Sequence, residues 1–85
     1  MTYRVRDSTN PIPRTLVTDD QVIEYLEKLD HRTFEIKLLH HVHWVTFELI
    51  NSHNSWILSS TEYGDYCSES ITEVFQFVSR CLIGE

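Results

Sequence analysis

Glycine is scarce in this sequence, which contains only Gly64 and Gly84. A loop that cradles the phosphates of a nucleotide needs several closely spaced glycines, so the sequence argues against a site of that kind. Long apolar runs are also missing: none approaches the roughly 20 residues that span a bilayer, and the first residues lack the apolar segment of a signal peptide. We therefore expect a cytoplasmic protein with no membrane contact and no bound cofactor.

Cysteine is equally rare, and neither Cys67 nor Cys81 belongs to a recognisable catalytic motif. About 14 residues of predicted helix would hold the two side chains about 20 Å apart, which is too far for a disulfide bond. Cys67 precedes that helix, whose dipole would favour a thiolate, but the neighbouring Asp65 and Glu69 would oppose it. Because a chain of 85 residues also offers little volume for a catalytic cleft, we predict that the protein is not an enzyme and assign no catalytic residue.

Basic side chains are few compared with acidic ones. The sequence has 7 Lys and Arg against 13 Asp and Glu, for a formal net charge of −6. Residues 1–14 carry +2, whereas residues 15–85 carry four basic and twelve acidic side chains, for −8. Such an acidic body repels nucleic-acid phosphates, which argues against direct binding of DNA or RNA. The same charge attracts a basic protein surface, so the sequence favours a protein partner of that kind.

The chain length and composition predict one folded domain. Hydrophobic residues make up 41% of the sequence, which is enough for a single core. Pro11 and Pro13 interrupt any regular element near the start, so residues 1–17 are expected to form an extended basic arm or short strand with a proline-containing connector. Residues 18–85 are then expected to form a single acidic α+β domain.

Two helices are predicted from the signals at their ends. Thr18 begins a capping box in front of apolar residues at helical spacing, which predicts a first helix over residues 19–30. Ser68 or Ser70 can cap a final helix, and Gly84 ends it. Two helices of this kind would most simply cover one face of a sheet.

The residues between the two helices alternate between apolar and polar side chains, which is typical of strands. We predict strands over residues 33–39, 43–50 and 55–61, with a turn at 51–54. A helix or one long strand is the rival interpretation of the first part of this region, because apolar residues also recur at helical spacing over residues 34–49. The predicted fold class is α+β: a three-stranded antiparallel sheet, with the N-terminal segment as a candidate fourth strand, packed against two helices.

Three histidines, His40, His41 and His43, form the clearest cluster of metal-binding side chains. On a strand, His41 and His43 would point to the same side and could bind zinc or copper if a third ligand joined them. The competing interpretation is that they are exposed histidines beside Trp44, because no second group of ligands such as a paired cysteine motif is present. We therefore predict no metal site and keep a metal site at these three histidines as the alternative.

The strongest candidate for a binding site combines carboxylates with aromatic rings between the last predicted strand and the last helix. Tyrosines provide a large amphipathic contact area, and carboxylates beside them can pair with Lys or Arg of a partner. Ordinary solubility is the competing explanation for the same residues. The predicted partner-binding residues are Glu62, Tyr63, Asp65, Tyr66 and Glu69.

These observations favour a small acidic protein-binding module, and specifically an inhibitor that occupies the basic, nucleic-acid-binding surface of a partner protein. The chain is similar in size and charge, though not in any motif, to small acidic inhibitors encoded by phages or mobile elements. Two alternatives stay open. One is a histidine-based metal-binding or metal-sensing domain, and the other is a structural homodimer joined through a sheet edge or an exposed sheet face.

Overall fold

Six antiparallel strands form a single sheet in the computed structural model, which describes residues 1–29 and 32–84. The strands are β1 (Tyr3–Asp7), β2 (Arg14–Leu16), β3 (Arg32–Leu38), β4 (Val45–Ser52), β5 (Ser55–Ser60) and β6 (Gly64–Ser68), and the helices are α1 (Asp19–Leu29) and α2 (Ile71–Ile83). The spatial order of the strands is β2-β1-β3-β4-β5-β6. Asp30, where the first helix is predicted to end, lies outside the described residues, as do His31 and Glu85.

The three-stranded sheet predicted from the sequence is wrong, although the α+β class with two helices holds. β1 lies inside the sheet, where it pairs with both β2 and β3, and its Tyr3 and Val5 side chains are fully buried. Pro11 and Pro13 lie in the connection from β1 to β2, outside both strands, so their missing N–H groups cost no hydrogen bond of the sheet. The local sequence did not reveal this arrangement because β3 follows only after α1.

β6 is a further strand that the prediction omitted. Residues 62–66 contain the glycine and charged side chains typical of a loop, but the structure pairs Gly64–Ser68 with β5 at the edge of the sheet. An edge strand with a single partner tolerates polar side chains. Gly64 adopts a φ of 77° where the β5–β6 turn ends, a conformation that other residues rarely adopt.

The remaining predicted strands are confirmed, with slightly different ends. Those over residues 33–39, 43–50 and 55–61 correspond to β3, β4 and β5. Residues 39–44 connect β3 to β4, so neither a helix nor one long strand forms in this region. The alternation of apolar and polar side chains was the correct signal, because one face of these strands is buried and the other is not.

Both helices begin at capping residues that the sequence indicated. Thr18 Oγ1 accepts a hydrogen bond from the backbone N–H of Gln21, and the Gln21 side chain accepts one from the backbone N–H of Thr18, which completes a capping box. Ser70 caps α2 by accepting a hydrogen bond from the backbone N–H of Glu73. Gly84 directly follows the last residue of α2, as predicted.

Both helices pack on the same face of the sheet, and the core lies between the helices and this face. Side chains alternate along each strand, so every second strand residue faces the helices. The opposite face of the sheet has no covering element among the described residues. Neither described helix is long and apolar enough to cross a membrane. The core consists of Tyr3, Val5, Leu16, Phe34, Ile36, Val45, Phe47, Leu49 and Leu58 from the strands and Val22, Tyr25, Leu26, Leu29, Val74, Phe75, Val78 and Leu82 from the helices.

Candidate functional site

A groove of about 420 Å³ crosses the uncovered face of the sheet. Its lining follows from the strand register: Thr33 of β3 lies opposite Glu48 of β4, and Glu48 lies opposite Ser59 of β5. Ser59 in turn lies opposite Asp65 of β6. Hydroxyl and carboxylate groups are therefore aligned across four strands, and Thr46 adds a further hydroxyl.

The described residues that line the groove include two carboxylates and no basic side chain. Glu48 and Asp65 are both exposed, and neither carboxylate forms a hydrogen bond or an ion pair with a described residue. Two strand spacings, about 10 Å in total, separate their backbones. A cation placed above Ser59 would therefore lie between the two carboxylates.

Charge is divided across the sheet. The half formed by β2, β1 and β3 contains five basic residues, whereas the half formed by β4, β5 and β6 contains none. Residues 38–79 include no lysine or arginine, and they carry five carboxylates. Most of the groove lies in this second half. The strands β4, β5 and β6 carry no basic side chain that could offset the charge of Glu48 and Asp65.

The three carboxylates predicted from the sequence to bind a partner lie in the edge strand β6 or directly beside its ends. Glu62 lies in the turn before β6, Asp65 lies within it and Glu69 follows it, and all three are exposed. Of these, Asp65 lines the groove. Glu62 and Glu69 extend the negative surface along the sheet edge, where β6 pairs with β5 on one side alone.

The two tyrosines predicted with them pack against the core, and part of each residue stays exposed. Tyr63 stacks on Phe47 with ring centroids 6.3 Å apart, and Tyr66 stacks on Phe77 at 4.7 Å. The Tyr66 hydroxyl donates a hydrogen bond to Glu73 of α2. The tyrosines therefore hold β6 and the preceding turn on the core, and the carboxylates are the more accessible members of the predicted set.

The three candidate metal ligands lie in the loop between β3 and β4. His40 and His43 are exposed, and His41 is half-buried. Within residues 1–29 and 32–84, no group of three histidine, cysteine or carboxylate side chains is placed to hold a metal ion. The geometry of this loop therefore adds no support to the metal-binding alternative.

Trp44 follows the histidines and is held by two cations of the uncovered face. The Arg6 guanidinium lies 4.1 Å from the centre of the Trp44 ring, and Lys37 Nζ lies 5.5 Å from it. Arg6 also donates two hydrogen bonds to Glu35, and Lys37 Nζ donates one to the carbonyl oxygen of His41. These contacts fix the end of the loop. They also engage both cations with other groups of the chain.

Cys67 and Cys81 are not joined by a disulfide bond. Cys67 is exposed on β6 opposite Ile57 of β5, whereas Cys81 is half-buried in α2. Neither cysteine lines the groove of the uncovered face.

A second groove, of about 360 Å³, lies on the helix side where the β1–β2 connection meets α1. Three cations line it: Arg14 of β2, Lys28 of α1 and Arg32 of β3. The Arg14 guanidinium lies 5.9 Å from the centre of the Tyr25 ring. This cluster could not be recognised from the sequence, because its members belong to three elements that come together only in the folded chain.

Asp7 and Tyr25 form a hydrogen-bonded pair beside these cations. The Tyr25 hydroxyl donates a 2.6 Å hydrogen bond to Asp7 Oδ2. The backbone N–H groups of Thr9 and Asn10 donate to the other carboxylate oxygen. Burial raises the pKa of Asp7, but these hydrogen bonds and Arg32 together outweigh burial, so the pKa lies below its ordinary value of 3.8. Burial and the Asp7 carboxylate raise the pKa of Tyr25, which therefore stays a hydrogen-bond donor at neutral pH.

The lowered pKa of Asp7 predicts a contribution to stability that acid removes. Because the pKa in the folded state is below that in the unfolded state, the contribution is fully present above about pH 4 and is lost as the pH falls through the folded value. Asp7→Asn is therefore expected to reduce the fall of the urea midpoint between about pH 5 and about pH 2. Tyr25→Phe, which removes one hydrogen bond to the carboxylate, should give an intermediate fall. Equal falls in all three proteins would contradict the assignment.

Glu48 is the groove carboxylate that the sequence analysis did not select. The alternation of β4 was a usable signal, because it directs Glu48 to the face opposite Phe47 and Leu49. Asp65 was selected from the sequence, but no signal indicated that it lies near Glu48, because its segment resembled a loop and the pairing of that segment with β5 was not foreseen.

Comparisons with known protein families, with curated proteins and with solved structures give no significant match. The functional conclusion therefore depends on the side chains that the fold brings together. Unlike the groove on the helix side, the groove lined by Glu48 and Asp65 contains a residue that was selected from the sequence and matches the overall charge of the chain.

Proposed function

We propose that this chain is a small acidic protein-binding module that uses the groove of its uncovered sheet face to bind a basic surface of another protein. The observation that carries the proposal is the pair of unpartnered carboxylates, Glu48 and Asp65, in a groove that has no basic side chain. Carboxylates without a partner in the chain are free to form charge-assisted hydrogen bonds with a lysine or arginine of another molecule. The hydroxyls of Thr33, Thr46 and Ser59 can accept further hydrogen bonds from the same cation.

Glu62 and Glu69 widen this acidic surface along the edge of the sheet. A partner with several basic side chains would contact the groove and the edge together. Surfaces with closely spaced lysines and arginines are those that bind nucleic acid. Occupation of such a surface would exclude nucleic acid from it, so the specific role that we propose is inhibition by competition.

The proposed role is binding and not catalysis. The groove is lined by carboxylates, hydroxyls and one aromatic ring, and neither cysteine is part of it. Hydrolysis or group transfer would require a positioned base next to a nucleophile or a water. The arrangement of Glu48, Ser59 and Asp65 across an open sheet face is suited to holding a cation.

A titration with a short, unstructured peptide rich in lysine and arginine tests this proposal. In NMR spectra of the backbone amides, the basic peptide is expected to shift signals of β4, β5 and β6, and a glutamate-rich peptide of equal length is expected to leave them unchanged. Glu48→Gln combined with Asp65→Asn should weaken binding of the basic peptide about tenfold, because each exposed charge pair contributes about 0.7 kcal/mol. Added salt should weaken binding by the wild-type protein more than binding by this variant.

Asp20→Asn combined with Glu27→Gln provides the matched control. Both residues are exposed on α1, on the other side of the sheet, and their replacement changes the net charge by the same amount. This control is expected to bind the basic peptide as the wild-type protein does. Equal weakening in the two double variants would show that net charge attracts the peptide without any role for the groove, and would overturn the proposal.

A further inference from the structure

The groove on the helix side is positively charged, whereas the chain as a whole is acidic. Arg14, Lys28 and Arg32 line it together with the hydrogen-bonded pair of Tyr25 and Asp7. Its volume of about 360 Å³ suits a small molecule. The side chains of Arg14 and Arg32 belong to exposed residues, so a ligand in solution can reach them.

The carboxylates that line this groove are already engaged. Asp7 accepts hydrogen bonds from one hydroxyl and two backbone N–H groups. Glu24 accepts a 2.7 Å hydrogen bond from Lys28 Nζ, with which it forms an ion pair. Arg14 and Arg32 form no ion pair with any described residue, although the chain has 13 acidic against 7 basic side chains. Among the described residues, three cations and two carboxylates line the groove, which leaves it with a net positive charge.

Both guanidinium groups have donors available for a ligand. Arg32 donates a 2.6 Å hydrogen bond to Thr9 Oγ1, which orients the group and leaves most of its N–H donors free. The Arg14 side chain forms no hydrogen bond within the described part of the chain, and its guanidinium lies over the Tyr25 ring. Burial and Asp7 raise the pKa of Tyr25, whereas Arg14 and Arg32 both act to lower it. Both arginines and Tyr25 line the same groove.

We propose that this groove binds an oxyanion, a phosphate or carboxylate group of a small ligand, between Arg14 and Arg32. The planar guanidinium group presents pairs of N–H donors whose spacing matches the oxygens of both groups. The acidic groove does not prevent this, because it lies on the other face of the sheet and salt screens exposed charges beyond about 8–10 Å. This ligand differs from the basic partner of the proposed function, and the two grooves can be occupied independently.

Titrations with pyrophosphate and with citrate, at constant ionic strength, test the site and separate a phosphate preference from a carboxylate preference. Glycerol provides the uncharged comparison and is expected to cause no shifts. In NMR spectra, saturable shifts are expected at amides around the groove, including Thr9 and Asn10. Arg14→Gln and Arg32→Gln are each expected to weaken anion binding about tenfold, because each removes charge-assisted hydrogen bonds. Arg80→Gln, which removes an exposed cation of α2, should bind as the wild-type protein does.

Absence of saturable shifts with both anions would overturn this proposal. Equal affinities in Arg14→Gln and Arg80→Gln would also overturn it, because they would show attraction without a defined site. If Arg32→Gln unfolds because it loses its hydrogen bond, Arg14→Gln decides the matter alone. Glu48→Gln combined with Asp65→Asn should leave anion binding unchanged, so failure of either proposal can be recognised separately from failure of the other.

Discussion

Replacing Phe47 with alanine is expected to lower the free energy of unfolding by about 3–5 kcal/mol. The Phe47 side chain is fully buried, and its ring stacks on Phe34 at 5.7 Å and on Tyr63 at 6.3 Å. Its removal would leave a cavity beneath the acidic groove, which Phe47 helps to line. Small domains are stable by only about 5–15 kcal/mol, so this variant should be close to unfolding. Urea denaturation followed by tryptophan fluorescence measures the change.

Val42→Ala is the control for this experiment. Val42 is 82% exposed in the loop before β4, so its truncation is expected to change the free energy of unfolding by less than about 0.5 kcal/mol. A loss of less than about 1 kcal/mol in Phe47→Ala would contradict the packing of β4 against the turn that carries Tyr63.

Reversing both charges in the acidic groove is expected to reduce the affinity for the basic peptide about 100-fold. Glu48→Lys combined with Asp65→Lys turns two attractive contacts into two repulsive ones, and like charges that face each other across an interface cost several kcal/mol. A 100-fold change corresponds to about 2.7 kcal/mol. Fluorescence anisotropy of a labelled peptide at fixed salt concentration measures the affinity.

The same double variant is expected to acquire affinity for the glutamate-rich peptide, since its groove would then present two ammonium groups. Asp20→Lys combined with Glu27→Lys changes the net charge equally on α1 and should weaken binding of the basic peptide much less. Wild-type affinity for the basic peptide in Glu48→Lys/Asp65→Lys, with an unchanged circular dichroism spectrum, would exclude the groove as the binding site.

The helices could be predicted from the sequence because their signals are local. The caps formed by Thr18 and Ser70 involve backbone groups only three residues further on, and these residues stand together in the sequence. Which segments join the sheet could not be predicted in this way, because strand pairing brings together segments that are distant in the sequence. The alternation of Tyr3 and Val5 with arginines indicated no more than a short strand. Its central position became evident only from the register with β2 and β3.

The candidate site was predictable in part for the same reason. Asp65 was selected because it lies among other carboxylates in the sequence, whereas Glu48 is isolated there. Glu48 and Asp65 lie on either side of Ser59 because of the β4–β5 and β5–β6 registers, and no local sequence pattern predicts these registers. Arg14 and Arg32 are likewise separated by the whole of α1, so their common groove could be found only in the folded chain.

The division of charge between the two halves of the sheet gives the sheet a permanent electric dipole. Its positive end is formed by β2, β1 and β3, and its negative end includes the edge strand β6. Near a positively charged macromolecule, the torque on this dipole would rotate the protein during diffusion so that the edge strand β6 faces the partner. A larger fraction of collisions would then be productive, and dissolved salt would act mainly by slowing capture and much less by hastening release.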